Sequence, residues 1–279
     1  ALFTTQARYK LYMQQSDSLI NIACDYFLKQ GDAQRKALAL YYKGAICKEQ
    51  QQIEEAHTYF LQAAEEVEKT TDNQLGYLIY GGLADTYAYQ DLSEYALEAS
   101  QKEMMFAQKS QNPFYISSAF VSKARISSIS NKLKESVKYY KKALYLMEQH
   151  KENESICGIS YELGATYNKL GIYDSALYFM QKAKNINPTA QTASIFITIG
   201  ETYSNLNRPD SAIHYFNQAL CDSNISISQI ADVHQRLYFT YKQKKDYLSA
   251  ADHCFEMSWY LDSLHRADKS RALIEIQEK

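Results

Sequence analysis

Residues 161–188 read YELGATYNKLGIYDSALYFMQKAKNINP, and residues 197–224 read ITIGETYSNLNRPDSAIHYFNQALCDSN. In each stretch a hydrophobe precedes a glycine and a tyrosine follows three residues on: Leu163, Gly164 and Tyr167, then Ile199, Gly200 and Tyr203. An Asp-Ser-Ala triplet comes next, then Met or Phe four residues after its alanine, then alanine three further on. These are Ala176, Met180 and Ala183, and Ala212, Phe216 and Ala219. Each stretch therefore holds two apolar patterns of helical spacing joined by a short polar turn.

The frame recurs on both sides. The small residue of the first helix falls at Gly44, Ala84, Ala124, Gly164 and Gly200, at intervals of 40, 40, 40 and 36 residues, and Tyr238 holds the place in a weaker sixth unit. Its partner on the second helix comes 12 residues later each time, at Ala56, Ala96, Ser136, Ala176, Ala212 and Ala250. A fixed period of this length marks a repeat architecture. Two antiparallel helices approach closely only where side chains are small, so the paired small residues read as the crossing point and the larger neighbours as its packing. One pair cannot bury its own apolar face, so neighbouring pairs must stack.

Punctuation agrees. The 279 residues contain only three prolines and nine glycines, too few turn formers for a β-rich or α/β chain. Ser93, Asp174 and Asp210 stand where second helices are expected to begin, as capping residues. Gly171 closes a first helix. Pro209 and Pro113 are expected in the turns just before helices, where a missing amide proton does no harm. No stretch reads as a flexible linker, so one continuous array is expected.

This pattern resembles the tetratricopeptide repeat family over about residues 33 to 263. The tryptophan often seen early in that motif is absent, the terminal proline survives only at Pro188, and the period exceeds the usual one. The resemblance implies an all-α, right-handed α-solenoid of antiparallel helix pairs. It also implies a module that binds a protein or peptide along the concave face lined by first helices. The exposed stripe of those helices gives Tyr41, Ala45 and Lys48; Gly81, Asp85 and Tyr89; Val121, Arg125 and Ser128; Tyr161, Ala165, Asn168 and Lys169; Ile197, Glu201 and Asn205; and Gln235, Phe239 and Lys242. Tyr41, Tyr89, Tyr161 and Phe239 are candidate anchors, and Arg125 and Lys169 candidates for holding a carboxylate or carbonyl. The Lys/Asn/Arg cluster of chaperone-tail receptors is not assembled on adjacent repeats.

The ends read differently. Residues 1–29 are expected to make one irregular helix pair, ALFTTQARYKLYM followed by SDSLINIACDYFLKQ, and residues 264–279 a charged amphipathic helix. The opening stretch and the closing WYLDSLHRADKSRALIEIQEK resemble the repeat-containing sensor proteins of Bacteroidetes. That resemblance implies the extracytoplasmic sensing part of a membrane-tethered regulator, with tether and output module outside these residues. The chain starts at Ala1 and stops inside a helical pattern, which reads as a fragment of a longer protein. Asp-Ser-Leu or Asp-Ser-Ala triplets at Asp17, Asp174, Asp210 and Asp262 resemble an O-glycosylation consensus of such proteins, and equally suit helix starts. Two other readings stay open: a cytoplasmic peptide-pheromone receptor built of similar pairs, and a carbohydrate receptor.

Chemistry is sparse. Lys+Arg is 30 against 32 Asp+Glu, so no charge excess draws nucleic acid. No apolar run approaches membrane-spanning length. The five cysteines are scattered, with no C-x-x-C pair, and read as small, mostly buried side chains rather than disulfides or a zinc site. The six histidines form no helical metal pair, and no phosphate loop or nucleophile elbow appears. Glu54–Glu55 and Glu65–Glu66 fall in exposed registers, and nothing suggests the burial that a catalytic dyad would require. No enzymatic activity, cofactor or metal is expected. Of the 25 tyrosines, Tyr87, Tyr167, Tyr203 and Tyr241 take core positions, leaving others to enrich a recognition surface.

Overall fold

A computed structural model describes residues 17–186 and 192–277. Among these residues it contains thirteen α-helices and no strand. After α1 (Asp17–Gln30) come α2 (Ala33–Glu49) with α3 (Ile53–Val67), α4 (Asn73–Tyr89) with α5 (Ser93–Lys109), and α6 (Pro113–Ile129) with α7 (Leu133–Gln149). Then follow α8 (Asn153–Lys169) with α9 (Tyr173–Ile186), α10 (Thr192–Asn205) with α11 (Pro209–Leu220), and α12 (Ile227–Gln243) with α13 (Tyr247–Gln277). The six expected repeat pairs are all present. The chain divides into two compact units, one ending at His150 and the other beginning at Lys151. Residues 1–13, expected to form the first terminal helix, and Pro188 lie outside the described residues. Residues 264–277 continue α13 without a break rather than forming a separate helix.

The crossings are built as the spacing requires. Ala56, Ala84, Ala96, Ala124, Ser136, Ala176 and Ala212 have no measurable exposure. A Cβ on Gly44 would stand 2.9 Å from the Phe60 ring, one on Gly164 3.0 Å from Met180, and one on Gly200 2.6 Å from Phe216. Phe60 also lies against Gly82, so one ring fills the space between α2 and α4. Beside these crossings, first-helix tyrosines stack on second-helix rings: Tyr87 on Tyr95, Tyr167 on Phe179, Tyr203 on Tyr215 and Tyr241 on His253. Cys24, Cys47 and Cys157 are buried, whereas Cys221 is exposed and Cys254 half-buried.

Every first helix of the six pairs ends in the same hydrogen-bonded turn. The amide two residues past the cap reaches back five residues, as Gln52 N–H to Cys47 O (2.9 Å) and Lys132 N–H to Ser127 O (2.8 Å), while the preceding amide reaches back three. This Schellman geometry requires a left-handed residue. Gly171 supplies it once, and Gln51, Asp91, Asn131, Asn207 and Lys245 supply it elsewhere with φ of 57–65°. The following helix starts at once, so the turn's last residue doubles as the next N-cap. Leu92, Lys132 and Arg208 are such caps and make no side-chain capping bond. Ser93, Asp174 and Asp210 thus lie inside the first turn rather than at the cap, where the two carboxylates favour the helix dipole. Pro113 and Pro209 are likewise the first helical residues, not the residues before. Four first helices do use side-chain caps, at Asp32, Asp72, Asn112 and Ser226, whereas Glu152 before α8 makes none.

Candidate functional site: a recess between first helices

In the unit ending at His150, α2 packs against α4 and α4 against α6. Between them opens a recess of about 310 Å³, at the lower end of the range of small-ligand sites. Four of the predicted residues line it: Tyr41 and Lys48 from α2, Asp85 from α4 and Arg125 from α6. Ala45, Gly81 and Val121 of the predicted stripe line it too. The repeat frame places these side chains on one face because they sit three before, one after or four after their crossing residue, positions that share one side of a helix. Tyr89, 67% exposed, stands on α4 outside the recess.

The walls are aromatic at one end and charged at the other. The Tyr41 ring lies 6.0 Å from Phe60, and Tyr77 stacks on Tyr115 at 4.6 Å. Burial pushes the Tyr41 hydroxyl up to about 12 and raises that of Tyr77, so both rings present neutral hydroxyls. Lys48 Nζ is ion-paired with Asp85 across α2 and α4. That pair fixes the two helices in register as much as it offers charge to a ligand.

The unit beginning at Lys151 uses the corresponding positions mostly on itself. Asn205 Nδ2 donates to Asn168 Oδ1 (3.4 Å), and Arg236 holds Glu201 at 3.2 Å and Asp232 at 2.9 Å. The Tyr161 hydroxyl bonds Thr198 and Ser194, and burial raises its pKa. Asn168 and Ile197, expected on the exposed stripe, are buried. The cause is that first helices touch their neighbours along this edge, α8 with α10 and α10 with α12. Lys169, Asn205, Gln235 and Phe239 are exposed.

Sequence reasoning missed Tyr77, Lys123, Arg236 and above all Glu103. Glu103 lies on a second helix, at a position the frame assigns to packing, yet it lines the recess and is 3% exposed. The only available hint was Gly81, which makes the room: a Cβ there would stand 3.2 Å from Glu103 Oε1. Among the described residues, no group of three or more His, Cys, Asp or Glu side chains is placed to hold a metal ion. No described helix is long and apolar enough to cross a membrane.

Helix pairs with small-residue crossings and a lined face between first helices define an α-solenoid repeat protein. The family model described as tetratricopeptide repeat matches residues 117–150 and 193–220. Among solved structures, the apo form of RapI superposes with a TM-score of 0.70 at 13% identity, covering 94% of this chain and 97% of that one. A signal transduction ATPase with a tetratricopeptide repeat sensor from Pyrococcus horikoshii gives 0.69 at 17% identity, covering 89% and 43%. The APC/C hetero-tetramer Cut9–Hcn1 gives 0.66 at 17%, covering 86% and 43%. The chain thus spans under half the length of the last two. No curated protein matches the sequence. Family model and structures together support a tetratricopeptide repeat array.

Proposed function

We propose that this chain is a protein- or peptide-binding module, the sensing or scaffold part of a bacterial signalling or transcription-regulating protein. The observation that carries the binding role is the recess in the first unit, where three first helices bring aromatic and charged side chains onto one face. Its dimensions suit a short extended segment, with side chains against Tyr41 and Tyr77 and backbone near Arg125. The fold gives the same reading, since stacked helix pairs offer their first helices as a continuous surface to a partner. The regulatory setting and an extracytoplasmic location rest on the likeness of the two ends to Bacteroidetes sensor proteins, and the tether would lie beyond these residues.

A random library of end-blocked dodecapeptides, displayed against the immobilised protein, provides the test. Selected peptides should lose at least tenfold in affinity, read by fluorescence anisotropy, for the Tyr41→Ala/Arg125→Ala double variant. Its helical circular dichroism should stay intact. Unchanged affinity in a folded variant rejects the recess as the site. Recovery of the native protein in the cytosolic fraction of its source cells rejects the extracytoplasmic part.

A further inference from the structure

Peptide binding alone does not explain why the floor of this recess is an acid. Glu103 reaches it from α5 and is 3% exposed. A buried carboxyl normally has all its oxygens engaged. Here Oε2 has no hydrogen-bond partner among the described residues, while the Ser122 hydroxyl bonds the carboxyl group. That bond therefore falls on Oε1.

The groups facing Glu103 come from three helices: Asp85 and Tyr77 on α4, Lys48 on α2, and Ser122 and Lys123 on α6. Lys48 is engaged by Asp85. Burial dominates and pushes the Glu103 carboxyl up to about 8, with Asp85 adding to the rise and Lys123 and Lys48 opposing it. At neutral pH the side chain is mostly the neutral acid. One oxygen then accepts from Ser122, and the other carries a proton that has no acceptor.

We propose that Glu103 serves as a hydrogen-bond donor at the floor of the recess: Oε2 is enclosed in the free structure, and a peptide lying across α4 draws the carboxyl round so that its hydroxyl meets an uncharged amide carbonyl. This rests on the peptide-binding reading of the recess and names one contact within it. A cationic ligand fits less well, because it would enter beside Lys48 and Arg125. An anionic one would meet Asp85. A neutral acceptor satisfies Oε2 without adding a charge to a buried site.

The test uses the whole chain labelled with ¹³C at the glutamate Cδ, N-methylacetamide as the minimal peptide carbonyl, and n-butylammonium as the cationic control. In the free protein the Glu103 carbon should show the acid form at pH 7. N-methylacetamide should shift that carbon and the Gly81 amide at pH 6.5. Its apparent affinity should fall about 30-fold by pH 9.5, as a group titrating near 8 loses its proton. Glu103→Gln keeps a donor at every pH, so it should retain the Gly81 response and lose the pH dependence. Glu103→Leu should lose the response. If Glu103→Leu does not fold, the Glu103→Gln pH profile decides. An ordinary carboxylate titration, no response to N-methylacetamide, or n-butylammonium binding better at pH 9.5 would each overturn the inference. If selected peptides depend on Tyr41 and Arg125 while Glu103 ignores N-methylacetamide, only this inference fails. If Glu103 responds but no peptide uses the recess, only the proposed function fails.

Discussion

Single residues set the distances on which everything else depends. Gly164 lets α8 approach α9 until a Cβ would meet Met180 at 3.0 Å and the Ala176 carbonyl at 3.2 Å. Met180 is fully buried, and the Ala176 carbonyl belongs to the backbone of α9. Gly164→Leu should therefore cost about 1–3 kcal/mol through overpacking, seen as a lower urea midpoint at unchanged m-value. The Schellman turns offer the opposite sign. Lys245 holds φ of 63°, a conformation costing an L-residue with a Cβ roughly 1–2 kcal/mol. Glycine relieves that cost but adds unfolded-chain entropy, which offsets part of it. Lys245→Gly should stabilise by about 0.5–1 kcal/mol in the same measurement, and Asn131→Gly by less, because asparagine tolerates the region better.

Helices convert these residues into pairs, and one pair carries a titratable seam. His234 on α12 and His253 on α13 share a hydrogen bond between their Nδ1 atoms at 3.0 Å. Tyr260 stacks on His234 and Tyr241 on His253. Burial lowers the pKa of each ring, and the neighbouring His253 lowers that of His234 further. Both folded values lie below the ordinary 6.5 of histidine, so the unfolded chain takes up protons first as the solution is acidified. The contribution of the pair to stability is complete above about pH 6.5 and declines below it, towards the depressed folded values. Protection factors in α12 and in α13 up to Tyr260, taken from exchange rates corrected for the intrinsic pH dependence of amide exchange, should fall between pH 6.5 and 5. Phenylalanine at both positions should remove that fall, and an unchanged pH response would reject the assignment.

At the scale of the molecule, four core clusters among the described residues each lie inside one unit. One joins residues from Ala37 to Ile126 and another those around Met104 and Ala119, whereas Cys157 to Ile199 and Phe196 to Leu237 belong to the second unit. In stacked repeats stability is close to a sum of intrinsic and nearest-neighbour terms. Gly200→Leu, which forces a side chain against the Phe216 ring, should speed hydrogen exchange in α10 to α12 and leave α2 to α5 unchanged. Uniform acceleration would mean that the two units unfold as one.

The sequence by itself determined the helix pairs, their crossings and the helical spacings that put Tyr41, Lys48, Asp85 and Arg125 on one face. All of these follow from the spacing of small and large side chains along one helix period. Packing between helices decided the rest. The pairing of Lys48 with Asp85, the burial of Asn168 and Ile197, the division near His150 and the sequestered carboxyl of Glu103 depend on what a neighbouring helix brings within a few ångströms. A side chain's place in its own repeat carries no record of that neighbour.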